Sequence, residues 1–150
     1  MWANVLALAV PAALLLGAYG SEFIGGLYPC EMCWWQRYAH IAALPPALLA
    51  FALSRLRRPL VWLAALAIAS SGAIGAYHAG VELGIFEGIT TCTSAVVGGT
   101  PDEVLRAILA APLIRCDQIQ WALFGISMAG WNAISSLSAA GVIAWLSLKR

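Results

Sequence analysis

Charge is what this sequence has least of. Of its 150 residues only 10% are Asp, Glu, Lys or Arg, while 62% are hydrophobic. A water-soluble fold of this length would lack the polar surface to cover itself. The lack of charge is also concentrated: residues 1–21, 38–54, 59–81 and 118–148 contain no Asp, Glu, Lys or Arg. Other features are missing outright. There is no internal repeat, no low-complexity tract and no stretch that reads as a soluble domain, and no flavin, haem or nicotinamide motif is present. No Lys or Arg precedes the first apolar run, which is also longer than the apolar core of a secretory signal, so it is read as a span and not as a cleaved leader. A net charge of +1 gives no electrostatic argument for a nucleic-acid partner.

What remains is four apolar runs, each long enough to cross a bilayer. The expected fold is an all-α membrane protein: a single domain over residues 1–150, built as a four-transmembrane-helix bundle. The last run has more residues than the roughly 20 that suffice, so its beginning, around Gln118 to Ala122, is expected at or outside the interface. Arg55, Arg57 and Arg58 fall between spans two and three, and Lys149 and Arg150 follow span four. Cytoplasmic excess of basic residues then puts both termini inside. The seven acids fall outside in that orientation, and so do Cys30, Cys33, Cys92 and Cys116, the chain's four cysteines. An even number of cysteines on an oxidising side suggests disulfides.

The long outer connection runs from about Glu82 to Asp117. Within it Thr100-Pro101-Asp102-Glu103 has the form of a capping box with Pro at the first helical position, and Val104, Leu105, Ile108 and Leu109 follow on one helical face. A short amphipathic helix on the membrane surface is expected, a helix packed on the loop itself being the alternative. Gly72, Ala76, Gly80 and Gly84 line one face of span three with small residues, which favours close helix packing. Pro45-Pro46 is expected to kink span two.

Cys30-Glu31-Met32-Cys33 can open and close as a small-ring disulfide at the outer mouth of span two. By itself C-x-x-C is a weak signal. Haem attachment would need His where Trp34 stands, and zinc on the four cysteines would need reduced thiols in an oxidising compartment. Arg37 lies one helical turn beyond Cys33, where a permanent cation favours the thiolate; simple snorkelling to the interface is the alternative. Cys92 and Cys116 lie 24 positions apart and bracket the expected surface helix, so they can close a loop, and a purely structural staple would also suit that spacing. His78, near the outer end of span three, could hydrogen-bond a carbonyl oxygen of a bound ring, or simply pack.

The stretch Leu27-Tyr28-Pro29-Cys30-Glu31-Met32-Cys33-Trp34-Trp35-Gln36-Arg37, together with the order of spans, the outer loop with two further cysteines and the run containing Trp121, Gly125, Met128 and Trp131, resembles the DsbB family of bacterial inner-membrane proteins. The resemblance covers essentially the whole chain. It implies a quinone-dependent oxidase of protein dithiols, with cysteines in the periplasm. A reduced DsbA-like thioredoxin-fold partner would attack the loop disulfide at Cys92, and Cys116 would exchange with the Cys30/Cys33 pair. Cys33 would face the quinone, ubiquinone or menaquinone. Arg37 would stabilise the charged thiolate-quinone complex, and His78 and Met128 would border the ring. DsbA is already a strong oxidant at about −120 mV, so its reoxidation needs a stronger acceptor, which a membrane quinone provides. The outer loop matches only in its cysteines, which leaves a dedicated partner as open as a general one. A vitamin K epoxide reductase-like protein is a more distant alternative, its C-x-x-C lying late in the chain. The competing class is a non-enzymatic membrane scaffold with static disulfides.

Overall fold

The computed structural model describes residues 1–88, 100–102 and 114–149. Among these, four long helices dominate: α1 (Trp2–Phe23), α2 (Glu31–Ala52), α3 (Arg57–Glu82) and α4 (Met128–Leu148). A single 3-10 turn, Ser54–Leu56, joins α2 to α3. The central helix is α3, packed along both α2 and α4, with α1 lying across α2 and α4.

Small side chains make this packing possible. Ala7, Ala43, Ala47, Ala64 and Ala140 are buried around Ile68 and Ile143, while Leu16, Leu48, Leu63, Leu66 and Val142 point outward. Large apolar residues outside and small ones between helices is the arrangement of a bundle whose solvent is lipid. Three of the helices, α1, α3 with its preceding turn, and α4, are long and apolar enough to cross a membrane. The fourth, α2, has the length but carries Glu31, Gln36, Arg37 and His40 in its first three turns.

The small-residue face expected on α3 is distributed differently from its spacing. A Cβ at Gly72 would meet Leu137 Cγ at 2.8 Å and Ser136 Cβ at 3.0 Å on α4, and Gly75, not Ala76, continues that contact, against Ala129 O and Asn132. Gly80 instead receives the ring of Phe86, which stacks on Tyr77. Gly84 ends the turn after α3 with a φ of +70°, a conformation only glycine adopts freely. Both Pro45 and Pro46 lie inside α2, which runs on to Ala52.

Two boundaries differ from the charge-free runs. α2 starts at Glu31, seven residues before residue 38, because Cys30 is its N-cap. α4 starts only at Met128, and the all-helix expectation is corrected ahead of it by a small antiparallel ribbon, β1 (Ala122–Leu123) and β2 (Ile126–Ser127). Phe124 and Gly125 both have positive φ, the two-residue turn that matches strand twist. Ser127 then caps α4, its Oγ accepting from Gly130 N at 3.1 Å, which fixes where the helix begins.

The bundle has two unlike ends. Arg57 and Arg58 lie by Met1, Trp2 and Ser147 at one end. The C-x-x-C pair, the end of α3 and the start of α4 meet at the other. The surface helix expected after Thr100 falls, beyond Asp102, outside the described residues, as does Cys92.

Candidate active site

Pro29 leads Cys30 into the extended conformation of a helix N-cap, and its Sγ accepts from Cys33 N at 3.3 Å. The two sulfurs lie 3.0 Å apart as reduced thiols, well beyond the roughly 2.05 Å of a disulfide. Cys30 donates its S–H to Cys33. That bond, followed by burial, pushes the Cys30 thiol far above its ordinary range. Cys33 is therefore the sulfur set up to carry negative charge, at the positive end of the helix dipole.

Arg37 follows one turn later and is buried. Its guanidinium is held on every side: Nη1 donates to Glu22 of α1, Nη2 to Ala18 O at 3.0 Å, and the rings of Tyr19 and Trp34 lie 4.8 and 5.0 Å from Cζ. Sequence reasoning treated Glu22 only as one acid among the outer seven. Its pairing with Arg37 depends on α1 and α2 packing side by side, for which no local signal exists.

Cys116 is buried with Cys30, Met32 and Val81. Its sulfur, the Cys30 sulfur and a His78 ring nitrogen lie within 4.8 Å of one another. His78 Nε2 is 3.6 Å from Cys30 Sγ and 3.8 Å from Glu82 Oε1. Two sulfurs and an imidazole form a plausible zinc donor set by type, but the hydrogen bonds at the other ring nitrogen oppose it. Gln36 Nε2 donates to the Met32 carbonyl at 3.1 Å, which identifies that atom as the amide nitrogen. It also lies 3.0 Å from His78 Nδ1, so Nδ1 accepts, and the neutral ring carries its proton on Nε2, where a metal would have to bind.

The same reasoning extends inward. Asn132 Nδ2 donates to Gln36 Oε1 at 2.7 Å, to Ser71 O at 3.2 Å and to Ser71 Oγ at 3.1 Å. Its Oδ1 faces His40 Nε2 at 2.9 Å and accepts from Ser136 Oγ at 3.0 Å. One side chain of α4 thus ties α2 and α3 together, and His40, like His78, is the Nε2–H tautomer. His40 Nδ1 and Glu82 Oε2 are buried without a partner among the described residues.

These groups surround a cavity of about 690 Å³, with Cys33, Arg37, His40, His78, Trp121 and Met128 among its walls. Met128 Sδ also lies 3.6 Å from Ser21 Oγ. Of the residues singled out from sequence, Cys30, Cys33, Arg37, His78 and Met128 line one cavity, and Cys116 stands beside Cys30. Glu22, Gln36, His40, Glu82 and Asn132 join the site without having been singled out for it. For His40 and Asn132 a signal was present, since a polar residue inside an apolar run faces the bundle interior. At the mouth, Gln120 Nε2 donates to Tyr28 O at 2.9 Å, and the Arg115 guanidinium holds exposed Asp117 below the usual carboxylate range.

Comparison with known proteins gives a consistent result. The family model described as disulfide bond formation protein DsbB matches residues 1–146. An uncharacterized protein of Rickettsia prowazekii (strain Madrid E) is 24% identical over 137 residues, covering 89% of this chain and 80% of that protein. Disulfide bond formation protein B of Marinobacter nauticus (strain ATCC 700491 / DSM 11845 / VT8) is 28% identical over 145 residues, covering 89% and 83% respectively. No solved structure matches significantly.

Proposed function

Because the chain belongs to the DsbB family, we propose that it reoxidises a periplasmic DsbA-like thioredoxin-fold protein and passes the electrons through two cysteine pairs to a membrane quinone. In this reading α2 is a fourth span, the basic end of the bundle and both termini are cytoplasmic, and the cysteines face the periplasm of a bacterial inner membrane. The observation that carries the proposal is where the C-x-x-C pair sits: both cysteines line the cavity, Cys30 with the Cys116 sulfur within 4.8 Å and Cys33 with Arg37 one helical turn further along α2. A pair placed so can exchange with Cys116 through Cys30 and deliver electrons through Cys33.

The cavity suits a quinone ring. Its volume lies in the range of about 300–1,000 Å³ usual for small-molecule sites, and its walls are mostly apolar, with Cys33, Arg37, His40 and His78 among the polar groups. Arg37 would hold negative charge on Cys33, and Met128 and His78 would border the ring. Bound there, a quinone would supply the two-electron acceptor. The chain's own part is to expose Cys33, screen it from water and fix the cation beside it. Cys92 would meet the partner, and Cys116 thiolate would attack Cys30 Sγ of an oxidised C-x-x-C pair, forming a Cys30–Cys116 bond while Cys33 leaves as thiolate.

Thiol trapping after mixing with a reduced thioredoxin-fold protein tests this. A relay should show exchangeable redox states at both pairs, lost from the partner's side in Cys92→Ser. Static disulfides that resist a mild reductant at both pairs would favour the scaffold.

A further inference from the structure

At the end of the bundle away from the cysteines, the starts of α1 and α3 and the last turn of α4 enclose a second cavity, of about 130 Å³. That is room for one small group, a cavity of about 150 Å³ being enough for a benzene ring. Asn4 lines it and is only 3% exposed, yet its side-chain oxygen is buried without a hydrogen-bond partner among the described residues. Buried amides are nearly always paired, so this acceptor calls for a donor from outside the chain.

The surroundings select the kind of molecule that brings it. Arg57 and Arg58 line the same cavity, and among the described residues neither has an acidic partner. Nε of Arg57 donates to Ala50 O at 3.4 Å, which anchors the stem of that side chain at the cavity. Both helices that begin here add positive partial charge, since α1 and α3 have no side-chain cap and no acid in the first turn. The end of α4 is the opposing contribution, and Lys149 caps it. Exposed Trp2, Leu63, Trp145 and Leu148 flank this end with apolar surface, against which acyl chains can lie. Basic pockets between the ends of spanning helices take acidic lipid headgroups. We propose that this cavity binds the headgroup of an anionic phospholipid, with its phosphate on Arg57 and Arg58 and a headgroup hydroxyl donating to Asn4 Oδ1. A phosphodiester has no proton to offer that oxygen, so the chemistry points to a headgroup that carries hydroxyls as well as charge, as phosphatidylglycerol does. A lipid seated there joins the ends of three helices and stabilises the bundle by binding its folded form.

The site is remote from the cysteines, so its test needs neither thiol nor quinone and stands apart from the relay. The full chain in detergent micelles is titrated with dioleoylphosphatidylglycerol, with dioleoylphosphatidylcholine and with glycerol 3-phosphate. Native mass spectrometry counts bound lipid, and tryptophan fluorescence follows the unfolding midpoint. One phosphatidylglycerol should bind and raise the midpoint, while phosphatidylcholine and the free phosphate should do neither in the same concentration range. The exposed pair Arg57→Gln and Arg58→Gln together should weaken binding on the order of thirtyfold, about fivefold for each arginine. Asn4→Leu should weaken it severalfold without lowering the lipid-free midpoint, because leucine replaces an unbonded oxygen at similar size. Arg55→Gln removes the same charge from the neighbouring turn, outside the cavity walls, and should bind as the wild type does. Equal binding of phosphatidylcholine, an equal loss in Arg55→Gln or an affinity unchanged by Asn4→Leu would overturn the assignment. Displacement of the lipid by glycerol 3-phosphate at matching concentration would overturn it too, in favour of a site for free phosphate.

Discussion

Replacing Asn132 by Leu should loosen the bundle by about 2 kcal/mol. The side chain reaches across helices to three partners: Gln36 and His40 on α2, and Ser71 on α3. Its remaining contact, with Ser136, stays within α4. Hydrogen bonds between membrane helices average about 0.6 kcal/mol each and reach about 1.7 at most, because the unfolded chain in lipid finds other partners. Three of average strength give about 2 kcal/mol, and about 5 is the ceiling. Leucine has nearly the same size, so the loss isolates the polar contacts from packing. The assay is denaturant unfolding in detergent micelles followed by tryptophan fluorescence. Ser147→Ala serves as control, since among the described residues that buried hydroxyl bonds only to Ile143 of its own helix and its loss should change little. A wild-type midpoint for Asn132→Leu would refute the view that this residue joins α2, α3 and α4.

The ion pair of Arg37 and Glu22 predicts strong coupling. With side chains only 7% and 18% exposed, Glu22→Gln should cost about 3 kcal/mol by leaving the guanidinium without its counterion, and the double variant with Arg37→Ala should cost less than the sum of the singles. Additive losses in the same unfolding assay would argue against the pair. Gly72→Ala should destabilise by about 1–3 kcal/mol through overpacking against Leu137 and Ser136. Gly141→Ala, whose Cβ would meet nothing within 4 Å, should be neutral or stabilising by up to about 1 kcal/mol through helix propensity.

Much of this architecture is legible in the charge-free runs, because lipid leaves no other place for such sequences. Each run yields a long helix, and Arg57 and Arg58, which follow the second, lie at the end away from the C-x-x-C pair. Boundaries were less legible. The run from Gln118 hides a ribbon, since Phe124-Gly125 is an apolar pair that carries little turn signal, and α2 begins early because a cysteine side chain serves as its cap. Spacing puts Arg37 one turn beyond Cys33 on α2, and both line the cavity. It cannot supply Glu22, which comes from another helix 15 positions away, nor show that Gln36 and Asn132 fix the tautomers of His78 and His40. Those bonds arise only when α2, α3 and α4 are packed together.

The central claim is that electrons from a protein dithiol leave the chain through Cys33 to a quinone. Its most direct test is the ultraviolet absorbance of ubiquinone in a detergent-solubilised preparation after a reduced DsbA-like protein is added, with Cys33→Ser alongside. The oxidised-quinone signal should fall with the wild type and stay constant with the variant. A signal that stays constant with both, or falls equally with both, would contradict it.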